Sequence, residues 1–330
     1  MSLIRRVRNL PHFEEVTRRL FAYCRLNDWA GYDPYDALNS AALRSSGFFN
    51  SRLIRLALTQ INKKSPINLR PLLIIPKTHN PKGIALFLSS FVLLRKVGLL
   101  DRHELIPFMA KRLLELRSQN IQYSAWGYSF DWQTRTRLVP KGSPNIICST
   151  FAANALLDAY EIVGDQDYLL SSISTAEFIL RELHRRPYGR YPYFCYTPNE
   201  PSLVHNANLL GAALLIRISD TAGIDKFVGP ALEAARLSVS FQQHDGSWKY
   251  GEDRTQTWID NFHTGFNLVA LKRILEHHRS IDLSTSIRRG LDFYITHFFR
   301  KDGVPKYYNH CLLYTSDAAD EEDSVDLGGC

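Results

Sequence analysis

Hydrophobic residues recur at intervals of three and four along most of the chain, which is the spacing of one face of an α-helix. The helical segments come in consecutive pairs joined by short turns. Gly164, for example, separates residues 145–163 from residues 167–184, and Pro187 ends the second segment. The same pattern predicts further pairs at residues 81–97 and 102–118, 202–219 and 226–243, and 258–277 and 282–299, with a first pair at 11–26 and 51–63.

The two helices of a pair differ in how polar they are. The first is poor in charge: NIICSTFAANALLDAY has one acidic residue in sixteen. The second is rich in Lys, Arg and Glu. A helix that is apolar almost all round is buried, whereas an amphipathic helix faces solvent. The pattern therefore predicts an all-α fold of the (α/α)6 toroid type, with inner helices around a central cavity and outer helices around them. Five pairs are visible, and a sixth is expected where residues 311–330 begin.

A glycine followed by aromatic residues recurs in the connections between pairs. The glycines are Gly127, Gly189, Gly246 and Gly303, at intervals of 62, 57 and 57 residues. Such regular periods are typical of stacked supersecondary units. In a closed ring these connections gather at one end, together with the first turns of the inner helices. We therefore expect the four aromatic loops to share one mouth.

The end of the chain differs from the rest in composition. Residues 311–330 hold six acidic residues and no Lys or Arg, so residues 1–310 have a net charge of +13, whereas the whole chain has +7. We divide the chain into a toroid domain, 1–310, and a tail, 311–330. The tail resembles out-of-frame translation of adapter DNA, which would make it non-native and leave the last hairpin missing. The alternative is an ordinary disordered acidic tail.

Charge and composition narrow the partners and the location. The basic body favours an anionic partner, but no nucleic-acid-binding motif is present. An acidic polysaccharide or an anionic membrane surface fits equally well. The chain shows no secretory signal and no transmembrane segment, so we predict a cytoplasmic protein. The five cysteines are scattered, which argues against a disulfide framework or a zinc knuckle.

The predicted mouth collects aromatic rings beside carboxylates and amides, a combination that suits a sugar because rings pack on C–H faces and polar groups bond hydroxyls. Each ring could instead fill the gap between hairpins as packing. The predicted substrate-binding residues are Trp126, Tyr128, Trp132, Tyr193, His205, Asn206, Asn208, Trp248, Tyr250, Asn261 and Asp36.

Acid–base chemistry needs a proton donor and a group that accepts a proton or attacks. The predicted catalytic residues are Asp131, Glu252, Asp260 and His263, and His205 is an alternative. Asp260 can equally be a helix N-cap. His205 and His263 have no third ligand at a fixed spacing, so we expect neither a metal nor a cofactor.

The segments WGYSFDWQTR, VHNANLLGAALL, DGSWKYGED and WIDNFHTGFNLVALK resemble a bacterial family of six-hairpin proteins associated with exopolysaccharide biosynthesis. The similarity spans residues 30 to 310. It implies the toroid of the six-hairpin glycosidase-like superfamily, shared by many glycosidases, polysaccharide lyases and sugar epimerases. It supplies no settled catalytic residues.

Together these features predict a carbohydrate-active protein of bacterial polysaccharide metabolism or biosynthesis that binds a poly- or oligosaccharide in the ring, as a hydrolase, lyase or epimerase. One alternative is a terpene cyclase or prenyltransferase, since QQHDGSW resembles the QW motif, although the acidic initiator motif is absent. Another is a non-catalytic scaffold that docks polysaccharide synthesis machinery.

Overall fold

The computed structural model describes residues 13–43, 47, 50–100, 102, 104–134, 137–188, 191–278 and 282–310. The predicted tail, 311–330, lies outside the described residues, as does Gly189. The described helices are α1 (Phe13–Leu26), α2 (Arg52–Lys64), α3 (Pro81–Lys96), α4 (Leu105–Glu115), α5 (Ile146–Val163), α6 (Gln166–Phe178), α7 (His205–Ala222), α8 (Val228–Ser240), α9 (Asn261–His277) and α10 (Ser284–His297).

The helices form the predicted toroid. α3, α5, α7 and α9 pack side by side in chain order, and each also packs against the helix that follows it, α4, α6, α8 or α10. The inner helices are the more apolar ones: α7 is buried along nearly its whole length, whereas α10 buries one stripe. Four regular hairpins thus confirm the all-α (α/α) toroid.

The N-terminal pair departs from this regular pattern. α1 packs against α3 through Phe21 and Phe91, whose ring centroids lie 6.0 Å apart. α2 instead packs on a short 3-10 helix, Asp36–Asn39, and on the loop strand at Trp132. The two predicted partners therefore serve different parts of the molecule and do not form a fifth regular hairpin.

Local chemistry sets the ends of the inner helices. The side chains of Asn80, Asn145 and Asp260 accept backbone N–H groups in the first turns of α3, α5 and α9. α5 ends at Gly164, whose φ of 77° is left-handed and favours glycine. α5 is long and apolar enough to cross a membrane by composition, but 61% of it is buried in the protein, as expected for a core helix.

Two short antiparallel β-hairpins lie in the connections from outer to inner helices. β1 (Trp132–Gln133) pairs with β2 (Leu138–Val139), and β3 (His184–Tyr188) pairs with β4 (Tyr191–Phe194). The sequence pattern predicted these connections as loops. Pairing satisfies their backbone groups while the chain returns to the end of the ring where the inner helices begin.

The repeated glycines and tryptophans hold the hairpins together. A Cβ on Gly127 would lie 2.0 Å from the Ser143 carbonyl oxygen, so only glycine permits this approach. The indole N–H of Trp126 donates to the carbonyl of Leu113 at 2.7 Å, in the last turn of α4. Trp248 donates likewise to Ser238 at 2.9 Å, in the last turn of α8. Both rings are fully buried and cap the C-terminal carbonyls of the outer helices.

Candidate active site

The loops that precede the inner helices converge at one end of the ring. The first backbone N–H of α5, at Ile146, donates to the carbonyl of Tyr196 at 2.9 Å. The equivalent N–H groups of His205 and Asn261 donate to Tyr250 at 3.1 Å and to Tyr307 at 2.9 Å. Three of the four inner helices, α5, α7 and α9, are therefore tied at their starts to the aromatic loop of the next hairpin. The repeated loops gather around one mouth.

This end of the ring encloses a cavity of about 530 Å³. Its wall comes from the loops and from one face of the inner helices, at their second and sixth residues. Those helix residues are Lys82 in α3, Ile147 and Phe151 in α5, Asn206 and Leu210 in α7, and Phe262 and Phe266 in α9. The loops contribute Asp33, Pro34, Tyr35, Asn80, Tyr128, Phe130, Trp132, Thr134, Tyr196, Glu200, Ser202, Val204, Tyr250, Asp253, Thr255, Gln256 and Trp258, and α9 adds His263.

Aromatic rings form much of the wall. Tyr250 and Trp258 stack with their centroids 4.4 Å apart and 14° between their planes. Across the cavity wall, the Tyr128 and Tyr196 hydroxyls share a hydrogen bond of 2.7 Å, and the Trp132 ring lies 5.9 Å from that of Tyr196. Burial, with the neighbouring Tyr196, raises the pKa of Tyr128 well above its ordinary value, so this hydroxyl is a hydrogen-bonding group at neutral pH.

Three polar side-chain atoms in the wall are buried without a hydrogen-bond partner in the described part of the chain. They are Ser202 Oγ, Asn206 Oδ1 and Gln256 Oε1. Asn206 as a whole is 5% exposed. Buried polar atoms are normally satisfied, because an unpaired one costs about 1–3 kcal/mol. Hydroxyl donors on a ligand would satisfy these acceptors.

His263 is the best-supported acid–base group in the cavity. Its Nδ1 lies 2.7 Å from Asp260 Oδ2, and its backbone N–H donates to Asp260 Oδ1 at 2.7 Å. Trp258 Nε1 donates to the same carboxylate at 3.0 Å. Asp260 therefore caps α9 and also orients the imidazole. With Nδ1–H donated to the carboxylate, Nε2 is the basic nitrogen of the ring.

A second carboxylate, Asp33, lies in the cavity wall near the start of α3. Its Oδ1 accepts the Tyr35 N–H at 3.0 Å, and its Oδ2 accepts from Asn80 Nδ2 at 3.3 Å. Burial is the main cause that raises its pKa, and the charge of Asp36 adds to the effect. Asp33 thus holds a proton more readily than an exposed aspartate does.

Asp36 lies behind Asp33 and supports its loop. Arg70 Nε lies 3.0 Å from both Asp36 oxygens, and Asn62 Nδ2 donates to Asp36 at 3.2 Å. A further guanidinium nitrogen of Arg70 donates to the Asp33 carbonyl at 2.9 Å. The Asp36 carboxylate also accepts the Asp33 backbone N–H at 3.0 Å. The buried ion pair therefore fixes the backbone that presents Asp33.

Lys82, the second residue of α3, supplies the cation in the cavity wall. Its ammonium lies 4.8 Å from the centroid of the Phe151 ring and 5.9 Å from that of Phe262. Burial lowers the pKa of Lys82, while the charges of Cys148 and Asp33 oppose that shift. The ammonium forms neither an ion pair nor a hydrogen bond within the described ranges.

Another His–acid pair, His205 with Glu252, lies in the core. His205 is fully buried, with Nδ1 3.1 Å from Ser238 Oγ and Nε2 3.0 Å from Glu252 Oε1. The hydrogen bond from His205 lowers the pKa of Glu252. Both ring nitrogens are thus engaged by protein groups, and the pair links the start of α7 to the repeated loop.

The predicted site residues divide between wall and core. Tyr128, Trp132, Asn206, Tyr250 and His263 line the cavity, and Asp260 supports it. Asp131 accepts the Lys141 backbone N–H at 2.7 Å in the adjoining loop, and Asn261 donates to the Lys306 carbonyl. The other predicted residues are buried against protein and do not line the cavity: Trp126, Tyr193, His205, Asn208, Trp248 and Asp36. Glu252 is hydrogen-bonded to His205.

Sequence reasoning did not single out Lys82, Asn80, Trp258, Phe151 or Phe262. The signal for several of them is their position in the helix, since the second residue of each inner helix and the sixth residue of α5, α7 and α9 line the cavity. No group of three or more His, Cys, Asp or Glu residues could hold a metal among the residues described.

No family model and no curated protein matches the chain. Several solved structures share its fold at low identity. Cellobiose 2-epimerase from Bacillus thermoamylovorans matches with a TM-score of 0.57 and 10% identity over 84% of this chain and 83% of that one. Unsaturated glucuronyl hydrolase from Bacillus sp. GL1 gives 0.51 and 15% over 80% and 73%.

A polysaccharide lyase gives a TM-score of 0.51 and 11% identity over 93% of this chain and 88% of that one. The chain spans 65% of the length of a similar Listeria innocua protein. The epimerase, the glucuronyl hydrolase and the polysaccharide lyase are six-hairpin glycosidase-like enzymes with (α/α)6 toroids. The chain shares that fold with them.

Proposed function

We propose that the chain is a carbohydrate-active enzyme that moves protons on a sugar held in the ring cavity, as a lyase or epimerase. The observation that carries the proposal is His263 in the cavity wall, with Nδ1 bonded to Asp260 at 2.7 Å. An oriented imidazole of this kind can take a proton from a sugar carbon through Nε2. Asp33 in the same wall can hold or deliver a second proton.

The rest of the wall suits a sugar. Stacked rings such as Tyr250 and Trp258 offer flat surfaces for C–H faces, and the buried acceptors of Asn206 and Gln256 can accept from hydroxyls. The enzymes with similar structures act on sugars: an epimerase, a glucuronyl hydrolase and a polysaccharide lyase. An action in bacterial exopolysaccharide biosynthesis rests on the sequence resemblance alone and stays a prediction, as do a cytoplasmic location and contact with synthesis machinery.

The same wall argues against the two alternatives from the sequence. A polyprenyl substrate needs an apolar cavity, whereas Asp33, Lys82 and Asn206 are polar wall residues. A scaffold needs no open interior, whereas this ring encloses about 530 Å³. An open, polar and aromatic cavity is typical of a small-molecule or oligosaccharide site.

Hydrolysis is a second candidate because the pKa of Asp33 is raised by burial. A carboxyl group that keeps its proton can act as the general acid that protonates a glycosidic oxygen. In that reaction no sugar carbon exchanges its proton. Carbon-bound deuterium therefore separates epimerisation from hydrolysis, and an unsaturated product separates elimination from both.

Turnover of bacterial oligosaccharides in D₂O, followed by NMR, tests the proposal. An epimerase leaves deuterium on a sugar carbon, a lyase forms an unsaturated uronate, and a hydrolase forms new reducing ends without carbon-bound deuterium. We expect His263→Gln to abolish exchange or elimination, with exposed His244→Gln as the matched control. Full activity in the His263 variant would refute the proposal, and products with reducing ends only would favour hydrolysis.

A further inference from the structure

Among the described residues, the cavity wall holds one cation, Lys82, whose ammonium has no ion-pair or hydrogen-bond partner. Lys82 belongs to the wall, and its ammonium rests on the rings of Phe151 and Phe262 at 4.8 and 5.9 Å. Lys82 is partly buried, and withdrawing a cation from water is costly unless a partner compensates. An anionic ligand would supply the partner.

None of the described acidic residues in the cavity wall neutralises Lys82, so a ligand with one negative charge would fit beside it. Glu200 is already paired, with its carboxylate 3.1 Å from Arg137. Asp253 is exposed and accepts the backbone N–H and the hydroxyl of Thr255. Asp33 is the remaining carboxyl group, and it forms no ion pair with Lys82 in the described structure.

Backbone dipoles add to the positive potential of the cavity. α3, α5, α7 and α9 all begin at its wall, and the N-terminus of a helix carries about half a positive charge. Asp260 offsets this charge at α9, whereas the N-caps of α3 and α5 are the neutral residues Asn80 and Asn145. The potential therefore favours an anion beside Lys82, on the α3 side of the cavity.

We infer that Lys82 is the specificity-determining residue for a sugar carboxylate, so that the cavity selects uronate-containing oligosaccharides over neutral ones. The inference rests on the proposed function, since it names the substrate class of the same cavity. A carboxylate carries the single charge that one ammonium neutralises. A phosphate would bring a second negative charge beside Asp33, so the structure favours the carboxylate.

The test compares sugars that differ only in this charge. The probes are uronate-containing bacterial oligosaccharides, the same oligosaccharides after chemical reduction of their carboxyl groups, and hexose 6-phosphates. Binding is followed by saturation-transfer NMR or by the fluorescence of Trp132 and Trp258 in the wall. The proteins are the wild type, Lys82→Met and the control Lys272→Met, which removes an exposed charge from α9.

We expect the wild type and Lys272→Met to prefer the uronate by about 10- to 100-fold, the fold-change of one charge-assisted hydrogen bond. Lys82→Met should lose that preference and keep its affinity for the reduced sugar, which also shows that it folds. Equal binding of the acidic and reduced sugars by the wild type would overturn this inference but not the proposed function. Preference for the phosphates would have the same consequence. Failure of the wild type to bind any of these sugars overturns the proposed function as well.

Discussion

Replacing Arg70 with Met tests whether the Asp36–Arg70 pair holds the loop that carries Asp33. Asp36 is 2% exposed, and among the described residues its carboxylate would keep Asn62 and the Asp33 backbone N–H as its only partners. A buried charge that loses its partner costs about 3–5 kcal/mol. The Arg70 side chain is 16% exposed, so water can reach the gap, and we expect a loss of about 3 kcal/mol in the free energy of unfolding.

The measurement is urea unfolding, followed by tryptophan fluorescence and by circular dichroism so that two-state behaviour is checked. The double variant Asp36→Asn/Arg70→Met removes both charges and should recover at least about 1 kcal/mol relative to the single variant. Arg300→Met is the matched control, because its pair with Asp302 is half exposed on both sides and should change stability by less than about 1 kcal/mol. A loss below about 1 kcal/mol in Arg70→Met, or no recovery in the double variant, would refute the reasoning.

Three further predictions concern the cavity and its frame. Asp260→Asn keeps an N-cap but loses the carboxylate that orients His263, so turnover should fall by about 10²- to 10⁴-fold while circular dichroism shows an intact fold. The control is Glu252→Gln, in the core pair with His205, which should retain most turnover. Burial raises the folded-state pKa of Asp33, so the protonated carboxyl contributes fully to stability below the unfolded pKa of about 3.9, and this contribution is lost as the pH rises through the folded pKa. Asp33→Asn should therefore gain stability relative to the wild type as the pH rises above about 4. A pH-independent difference in urea unfolding would contradict this. Gly127→Ala would place a Cβ 2.0 Å from a backbone oxygen and should cost about 2 kcal/mol or more in the same unfolding assay, while Gly142→Ala, with no atom within 4 Å but a φ of 77°, separates the cost of the contact from that of a strained φ.

The periodic pattern was enough to predict the hairpins, the inner and outer helices and the end of the ring where the loops meet. Hydrophobic period and turn residues are local signals, and packing in the ring preserved them. The sequence showed that Gly127 and Gly246 recur but could not show the steric reason for a glycine at these positions. Both allow a close backbone approach, to Ser143 and to Arg289.

The fate of individual side chains was harder to predict because it depends on helix phase. His205 and His263 look alike in sequence, each within one helical turn of an Asn at the start of an inner helix. His205 is the first residue of α7 and points into the core, whereas His263 is the third residue of α9 and lines the cavity. A shift of two residues turns a side chain by more than half a helical turn. Trp126 and Trp248 were likewise grouped with the ligand-binding rings, and the structure places them against helix ends.

The backbone N–H groups of Ile146, His205 and Asn261 each donate a hydrogen bond to the next aromatic loop, and these three bonds connect consecutive hairpins at the rim of the cavity. Loosening of any one hairpin must open a rim bond that belongs to its neighbour. The hydrogen-exchange rates of these three amides therefore report how often the ring opens, and they can be measured without any substrate. A ligand that spans the mouth should slow all three amides together.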